Sequence, residues 1–450
     1  MLSTMRSRAP RSLLVLLAIA GPLAGLAAGV TAADATVAAP PANAAGVRAA
    51  EMPVLQQIDV PAAWRASQGK GVTVAVLDTG VDASAPDLAG QVITGPDYVQ
   101  GAEPPGYKLP LEQGTYVASL IAGHGRGPGD AMGVMGVAPR AKILSVRVIP
   151  DAGEPGLAAY HDQPRYADAL SEGIDTAVRD GAKVITVSLS VPQPSSGLRR
   201  AIAFAIARGA VVVASAGDGG TASGFAPYRY PASFPGVIAV AAVNSAGARA
   251  SFSQQNSSVV VAAPGVDVAG ASPDGQYVER DSTSAAAALV SGVVALILAR
   301  YPQMTPPAVE QAIATTASHQ PAGGYSVDTG FGEVDAAAAL AAAASYAAPD
   351  AGGPGSVDVS GPGGQPSFAI PIPGLSTTVS GRTRLARSLP PIIVTRRDEA
   401  RIVVCGLTAT AAAVLAAISL ATMIVFSRRP RPRPAGLELA NMPPGDDLIS

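Results

Sequence analysis

The stretch from Arg280 to Arg300 reads RDSTSAAAALVSGVVALILAR, a polar entrance followed by Ala, Leu, Val and Ile at nearly every position. A helix with no polar face must be buried on all sides, in a large core or in a membrane. The run is shorter than the roughly 20 residues of a membrane span, so it predicts a core helix. Ser282, Thr283 and Ser284 either cap this helix or place a hydroxyl beside N–H groups that stabilise an oxyanion.

Short aliphatic and β-branched runs alternate along the chain with helical segments, as in Val72–Leu77 and the amphipathic Tyr166–Asp180. This alternation predicts an α/β fold with a mainly parallel sheet and helices on both faces. Such sheets bind ligands at the carboxyl ends of their strands. Asp78 and Ser215 are expected at that edge, since each ends a predicted strand.

Composition excludes several classes of function. The chain has 450 residues with 31 Lys and Arg against 33 Asp and Glu, so it carries no net basic charge of the kind that binds nucleic acid. Cys405 is the single cysteine, which excludes an intramolecular disulfide and a cysteine-based zinc site. The sequence predicts no metal site and no cofactor.

The two ends of the sequence predict export and membrane anchoring. Residues 1–32 have the basic start, apolar run and small residues of a signal peptide, and 33–54 form a predicted flexible lead-in. A folded domain is expected over 55–346, followed by a Pro/Gly/Ser-rich linker over 347–400. The uncharged segment 402–426 is long enough to span a bilayer. The Arg-rich tail at 427–450 is then cytoplasmic, and the folded domain is extracellular.

Four ordered motifs carry the chemistry: VLDTGVD at Val76–Asp82, QGTYVA at Gln113–Ala118, ASAGD at Ala214–Asp218 and STSAAA at Ser282–Ala287. In this order they resemble the Asp, His, oxyanion and Ser motifs of the subtilisin-like serine peptidases (subtilases). The resemblance implies a three-layer subtilisin-like fold, with Asp78 and Ser284 as the catalytic Asp and Ser. It also implies substrate-binding positions, which are Ser188, Leu189, Ser190, Ala214, Ser215, Ala216 and Gly217.

The departures from the family pattern affect catalysis directly. Gln113 stands where the family has its catalytic His, and a carboxamide does not accept a proton as an imidazole does. We expect Gln113 to bridge Asp78 and Ser284 in a network that transfers no proton. Asp218 replaces the oxyanion-hole Asn, where an ionised carboxylate repels the intermediate. Ser282 replaces a Gly, where the backbone is expected to need unusual torsions.

The remaining histidines are poor substitutes for the missing base. On a continuing helix His124 would lie about 16 Å beyond Gln113, and His319 is expected at the surface. His161, in a predicted loop after a strand end, is the one placed to reach the cleft. For each of them a solvated or locally bonded side chain is the simpler interpretation.

The signal sequence, spacer and single span further resemble the mycosins, membrane-anchored subtilases associated with type VII secretion. The favoured hypothesis is a pseudoprotease that binds peptides or acts as a scaffold, with type VII secretion membrane components as partners. The alternative is a weak or conditional serine endopeptidase that uses Ser284 and Asp78. In a third hypothesis the span and the cytoplasmic tail carry the function.

Overall fold

A computed structural model describes Thr31–Ala32, Val37–Ala38 and residues 43–220 and 226–347. The predicted span over 402–426 and the predicted tail over 427–450 lie outside the described residues. The same holds for residues 1–30 of the predicted signal peptide and, beyond residue 347, for the predicted linker.

The described residues form nine α-helices and fourteen strands. The helices are α1 Ala44–Gln57, α2 Val60–Ala63, α3 Glu112–Ala122, α4 Gly156–Asp162, α5 Ala169–Arg179, α6 Ser196–Ala207, α7 Thr283–Arg300, α8 Pro306–Thr316 and α9 Ala336–Ala347. The strands are β1 Thr31–Ala32, β2 Val37–Ala38, β3 Thr73–Asp78, β4 Val92–Asp97, β5 His124–Arg126, β6 Met132–Met135, β7 Lys142–Arg147, β8 Val184–Val187, β9 Leu189–Ser190, β10 Val211–Ser215, β11 Val237–Val243, β12 Val259–Pro264, β13 Val268–Ala271 and β14 Tyr277–Arg280.

The central sheet has seven strands in the order β12-β11-β10-β8-β3-β7-β4, and every neighbouring pair is parallel. Strand β3 shows why both faces are covered. Val74 and Val76 join the apolar core on the side of α3 and α7. Ala75 and Leu77 join the core on the side of α5 and α6. The three-layer arrangement, with a mainly parallel sheet and helices on both faces as predicted from the sequence, is therefore confirmed.

Helix α7 is the apolar stretch at Thr283–Arg300, and 89% of it is buried. It is long and apolar enough to cross a membrane by composition alone. It packs instead against strands β8, β10, β11 and β12 and against helix α3. Burial on all sides explains the missing polar face, and the predicted core helix is observed.

The antiparallel pair β13–β14, which the sequence analysis did not predict, leads directly into α7. Gly270 pairs with Val278, and Val268 pairs with Arg280. This short hairpin ends two residues before Ser282, the N-cap of α7. It therefore fixes Arg280 beside the entrance of the central helix.

The start of the chain differs from the prediction of a flexible lead-in over 33–54, because α1 begins at Ala44. The Asn43 side chain accepts a hydrogen bond from the Gly46 N–H at 2.7 Å, which caps the helix. Val47 and Leu55 are fully buried. The Ala/Pro-rich composition hid this helix, whose stability comes from contacts with distant strands β6 and β13.

Candidate catalytic cleft

Three neighbouring strands bring the predicted site residues to one edge of the sheet. Asp78 ends β3, Ser215 ends β10, and Ser188 follows β8, which lies between them. The register pairs Leu77 with Val187 across β3 and β8. The carboxyl ends of parallel strands meet at one edge, so residues from three distant motifs converge there.

Helix α3, which carries Gln113, is fixed to the turn after Asp78. Asp151 caps its first turn by accepting from the backbone N–H groups of Glu112 at 2.9 Å and Gln113 at 3.1 Å. A Cβ at Gly114 would lie 2.0 Å from the Gly80 carbonyl oxygen. Only a glycine permits this close approach. The packing holds Gln113 at the position where the resemblance expects the catalytic His.

The Gln113 side chain does not bridge Asp78 and Ser284 as expected. Its Oε1 accepts a short hydrogen bond from Nη1 of Arg280. Its Nε2 has no hydrogen-bond partner among the described residues. Arg280 also approaches Glu112, with Nη2 3.4 Å from Oε2. The Arg280 guanidinium, from β14, therefore binds the carboxamide oxygen of Gln113. The expected bridge between Asp78 and Ser284 is replaced by this Arg280–Gln113 contact.

Ser284 lies at the first turn of α7 and is fully buried. Its Oγ donates to the backbone carbonyl of Ser188 at 3.2 Å. Ser282 caps the helix, since its hydroxyl accepts from the Ala285 N–H at 3.1 Å. The expected unusual torsions at Ser282 are absent, because its φ of −163° is ordinary extended backbone. The serine therefore replaces glycine there without strain.

Asp218 binds the start of α7 through one carboxylate oxygen. Its Oδ1 accepts from the Thr283 N–H at 2.8 Å and from the Thr283 hydroxyl at 2.6 Å. A helix N-terminus carries partial positive charge that favours an anion. Burial nevertheless raises the pKa of Asp218 to about 6, and the bonds from Thr283 only partly oppose this effect. A carboxylate therefore sits where the family has an amide donor.

Asp78 is 3% exposed and receives the Thr79 N–H on Oδ1 at 2.7 Å. Burial raises its pKa to about 7, although the nearby Ser188, the Thr79 N–H and the positive charge of Arg280 lower it. Its Oδ2 has no hydrogen-bond partner among the described residues. At neutral pH this carboxyl is therefore divided between its charged and neutral forms.

No histidine of the described residues hydrogen-bonds to Asp78 or Ser284. Helix α3 ends before His124, whose Nε2 contacts the Ala89 carbonyl at 3.1 Å. His319 lies 3.0 Å from Glu333 with a 61% exposed side chain. His161 lies on α4, not in a loop, and lines a cavity of about 290 Å³ that also includes Leu189.

Arg280 contacts the predicted site residue Gln113 directly and was not predicted as part of the site. The available signal was its position as the last basic residue before the apolar helix that carries Ser284 in its first turn. Spacing alone does not show that its guanidinium reaches Gln113, 167 positions away in the sequence. Within 43–220 and 226–347 there is no cluster of three or more His, Cys, Asp or Glu side chains that could hold a metal ion.

The raised pKa values of Asp78 and Asp218 predict that the fold is more stable in mild acid. In the folded state both bind protons that the unfolded chain, with an Asp pKa of about 3.9, releases at lower pH. Their contribution is complete below about pH 4 and is lost as the pH rises through about 6 to 7. The free energy of unfolding is expected to fall by roughly 2–4 kcal/mol between pH 5 and pH 8.

Urea unfolding, followed by the fluorescence of Trp64, measures this dependence. Asp78→Asn is expected to reduce the slope of the profile, because an amide resembles the protonated acid but does not titrate, while Asp218 and Glu154 still contribute to the dependence. Asp130→Asn, at an exposed turn, is the control that keeps the wild-type slope. An increase in stability from pH 5 to pH 8 in the wild type would contradict the assignment of protonated buried acids.

Comparison with known proteins agrees with the motifs. The model of the subtilase family matches residues 69–335. Subtilisin E of Bacillus subtilis (strain 168) is 36% identical over 266 residues, which are 59% of this chain and 65% of that protein. The chain thus matches just under two thirds of this relative's length.

Two solved structures resemble the fold of this chain. MycP1 with its N-terminal propeptide removed has a TM-score of 0.54 and 29% identity, and the match covers 64% of this chain and 96% of MycP1. The MycP3 protease from the type VII (ESX-3) secretion system has a TM-score of 0.53 and 29% identity, over 69% of this chain and 94% of MycP3. The structural similarity therefore includes mycosins.

Proposed function

The chain belongs to the subtilase family, and from this premise we propose that it is a pseudoprotease, a catalytically impaired member that binds peptides. The observation that carries the proposal is Gln113 at the His position, with its Oε1 held by Arg280. Acyl transfer from a serine needs a base that takes the hydroxyl proton and returns it to the leaving amine. A carboxamide does neither, because its nitrogen is not basic at physiological pH.

The buried acids do not replace the missing histidine. Asp78 can act as a base only in its ionised form, and burial raises its pKa to about 7. Asp218 can donate a hydrogen bond to an oxyanion only in its protonated form, and burial raises its pKa to about 6. Since the group that must be ionised has the higher pKa, the two required forms coexist in only a minority of molecules at any pH. The two acids are therefore a poor replacement for the missing histidine.

Peptide binding requires neither a base nor an oxyanion donor. The chain has a strand edge and an adjoining cavity that could hold a peptide. Strand β9 pairs antiparallel with Thr31–Ala32 of the same chain, so its edge accepts an extended segment. Backbone pairing of this kind binds peptides in many domains, with pockets that select side chains. The cavity that includes Leu189 and Tyr166 adjoins this strand. The cleft thus offers both a pairing edge and a pocket lined by apolar and polar side chains.

The cellular role in this proposal is scaffolding at a type VII secretion system, with the domain held outside the membrane. It is supported by the similarity to MycP3, a protease from such a system. The predicted signal peptide and the predicted span over 402–426 agree with an anchored extracellular domain. Crosslinking in intact membranes followed by purification should recover secretion-system membrane components. Recovery of none of them would count against this role.

The second candidate is a weak or conditional endopeptidase. It is favoured by Asp78 and Ser284, which are both present and both buried at the cleft. The base would then be supplied by His161, by a partner or by a histidine of the substrate.

One experiment separates the two candidates. The purified full chain is incubated with a fluorescent fluorophosphonate probe at pH 5, 6, 7 and 8, beside Ser284→Ala. Anisotropy with a fluorescein-labelled casein digest measures peptide binding in parallel. We expect binding of the digest and no labelling that depends on Ser284. Labelling that Ser284→Ala abolishes would establish the endopeptidase instead, and the absence of any peptide binding would overturn the proposed function.

A further inference from the structure

Arg280 is a buried cation whose hydrogen bonds are incompletely used. Its side chain is about nine-tenths buried, with 9% of the residue exposed. Nη1 donates to Gln113, and Nη2 lies 3.4 Å from a Glu112 carboxylate that is itself 56% exposed. Nε has no acceptor among the described residues. The guanidinium therefore has an N–H group, on Nε, that donates to no acceptor in the described part of the chain.

Gln113 adds a second unused donor at the same place. A guanidinium has only donors, so the carboxamide must turn its oxygen to Arg280 and keep its NH₂ group away from that contact. This Nε2 is buried and has no acceptor in the described part of the chain. A buried donor without a partner destabilises the fold. Two such donors on adjoining side chains indicate an acceptor-rich ligand.

The charge around Arg280 is only partly balanced. Glu112, the carboxylate in contact with Arg280, is largely in solvent, where an ion pair contributes little. Asp78 also faces the charge of Arg280, but burial keeps this carboxyl partly protonated at neutral pH. Arg280 also lies over the ring of Tyr116, with 5.2 Å from Cζ to the ring centroid. A ring face provides no counter-ion. Removing a cation from water is costly unless an anion and hydrogen bonds compensate.

We propose that Arg280 and Gln113 together bind a carboxylate group of a peptide in the cleft. The carboxylate is either the peptide's C-terminus or an Asp or Glu side chain. The inference rests on the proposed peptide-binding function and specifies its ligand. A guanidinium and a carboxylate are planar and pair through parallel N–H···O bonds.

Three synthetic octapeptide pools test this proposal on the immobilised full chain, with retained peptides quantified by mass spectrometry. The first pool lacks Asp and Glu and is amidated at the C-terminus. The second has the same sequences with a free C-terminal carboxylate. The third is amidated but carries one Glu at each position in turn. We expect at least about tenfold higher retention of the second or the third pool than of the first, and the preferred pool identifies the source of the carboxylate.

Variants connect this preference to the two side chains. Arg280→Met is expected to reduce retention of the preferred pool about tenfold, to the level of the first pool. Arg200→Met, at an exposed position on α6, is the matched control and should retain the preference. Gln113→Glu places a carboxylate beside Arg280 with almost no change of shape. It should also abolish the preference, and it serves where Arg280→Met does not fold.

The outcomes separate the two proposals. Equal retention of all three pools by the wild type would overturn the carboxylate site and leave peptide binding intact. A preference that survives both Arg280→Met and Gln113→Glu would likewise overturn the assignment to these residues. Retention of none of the pools would overturn the carboxylate site and the peptide-binding function together.

Discussion

The full chain carrying Gln113→His, Asp218→Asn and Arg280→Ala is expected to gain Ser284-dependent peptidase activity at least about thousandfold above the wild type. The first change supplies the missing base, and the second replaces a carboxylate with an amide donor. In subtilisin, of the same family, loss of the histidine lowers kcat by about 2 × 10⁶. Loss of an oxyanion donor typically costs about 10² to 10³. Restoring both should recover a measurable part of this loss.

The third substitution follows from the structure. Arg280 binds Oε1 of Gln113, so an imidazole placed at residue 113 would meet a guanidinium. A neighbouring cation disfavours the protonated form of histidine, and the base must become protonated during the reaction. We therefore expect Gln113→His with Asp218→Asn alone to gain less activity than the triple variant. Arg280→Ala removes the competing charge and leaves space for the ring.

Release of fluorescein from labelled casein measures the gain, with the wild type and the triple variant compared at equal concentration. The control adds Ser284→Ala to the triple variant and should return activity to the wild-type level. A triple variant that folds but stays inactive would mean that the cleft geometry is itself impaired, beyond the lost base and oxyanion donor. A wild type that already cleaves with dependence on Ser284 would contradict the pseudoprotease proposal.

The sequence predicted those features that depend on local patterns. The buried strand at Val72–Leu77 and the apolar helix at Thr283–Arg300 were recognisable because burial on all sides removes polar residues from a segment. The replacements at Gln113 and Asp218 were visible because each lies inside a short ordered motif. Local composition is sufficient for a prediction when one segment determines both a structural element and the function expected of it.

Contacts between distant segments were not predictable in this way. The Arg280–Gln113 contact joins residues 167 positions apart, and the Asp151 cap on α3 comes from a separate loop. Helix α1 looked like a flexible lead-in because its stability comes from distant strands and not from its own composition. The charged side chains that surround a site depend on tertiary packing. The same packing determines which donors and acceptors of the site have hydrogen-bond partners and which have none.

Arg147→Met is expected to destabilise the fold by about 3–5 kcal/mol, because it would leave buried carboxylates without their cation. Arg147 is 4% exposed, and its guanidinium contacts Asp97, Glu103 and Glu154. The side chains of Glu103 and Glu154 are 7% and 1% exposed. Removing one member of a buried ion cluster costs far more than the net stability that the cluster provides.

This cluster also supports the candidate site through the backbone. The Glu154 N–H donates to the Asp151 carbonyl at 3.1 Å, and the Asp151 carboxylate caps the helix that carries Gln113. Loss of Arg147 should therefore loosen the start of α3 as well as lower global stability. Faster hydrogen exchange of the Glu112 and Gln113 amides would show this local effect.

The loss in Arg147→Met should itself depend on pH. Burial, together with a hydrogen bond to Glu103, raises the pKa of Glu154 to about 7. At pH 5 Glu154 is protonated and needs its cation less, so the destabilisation should be smaller than at pH 8. Urea unfolding of the full chain at both pH values measures the difference. Lys108→Met is the control, since its ion pair with Asp274 is exposed on both sides and such pairs contribute little. An equal loss for Arg147→Met at both pH values would assign the role of Arg147 to packing rather than to charge.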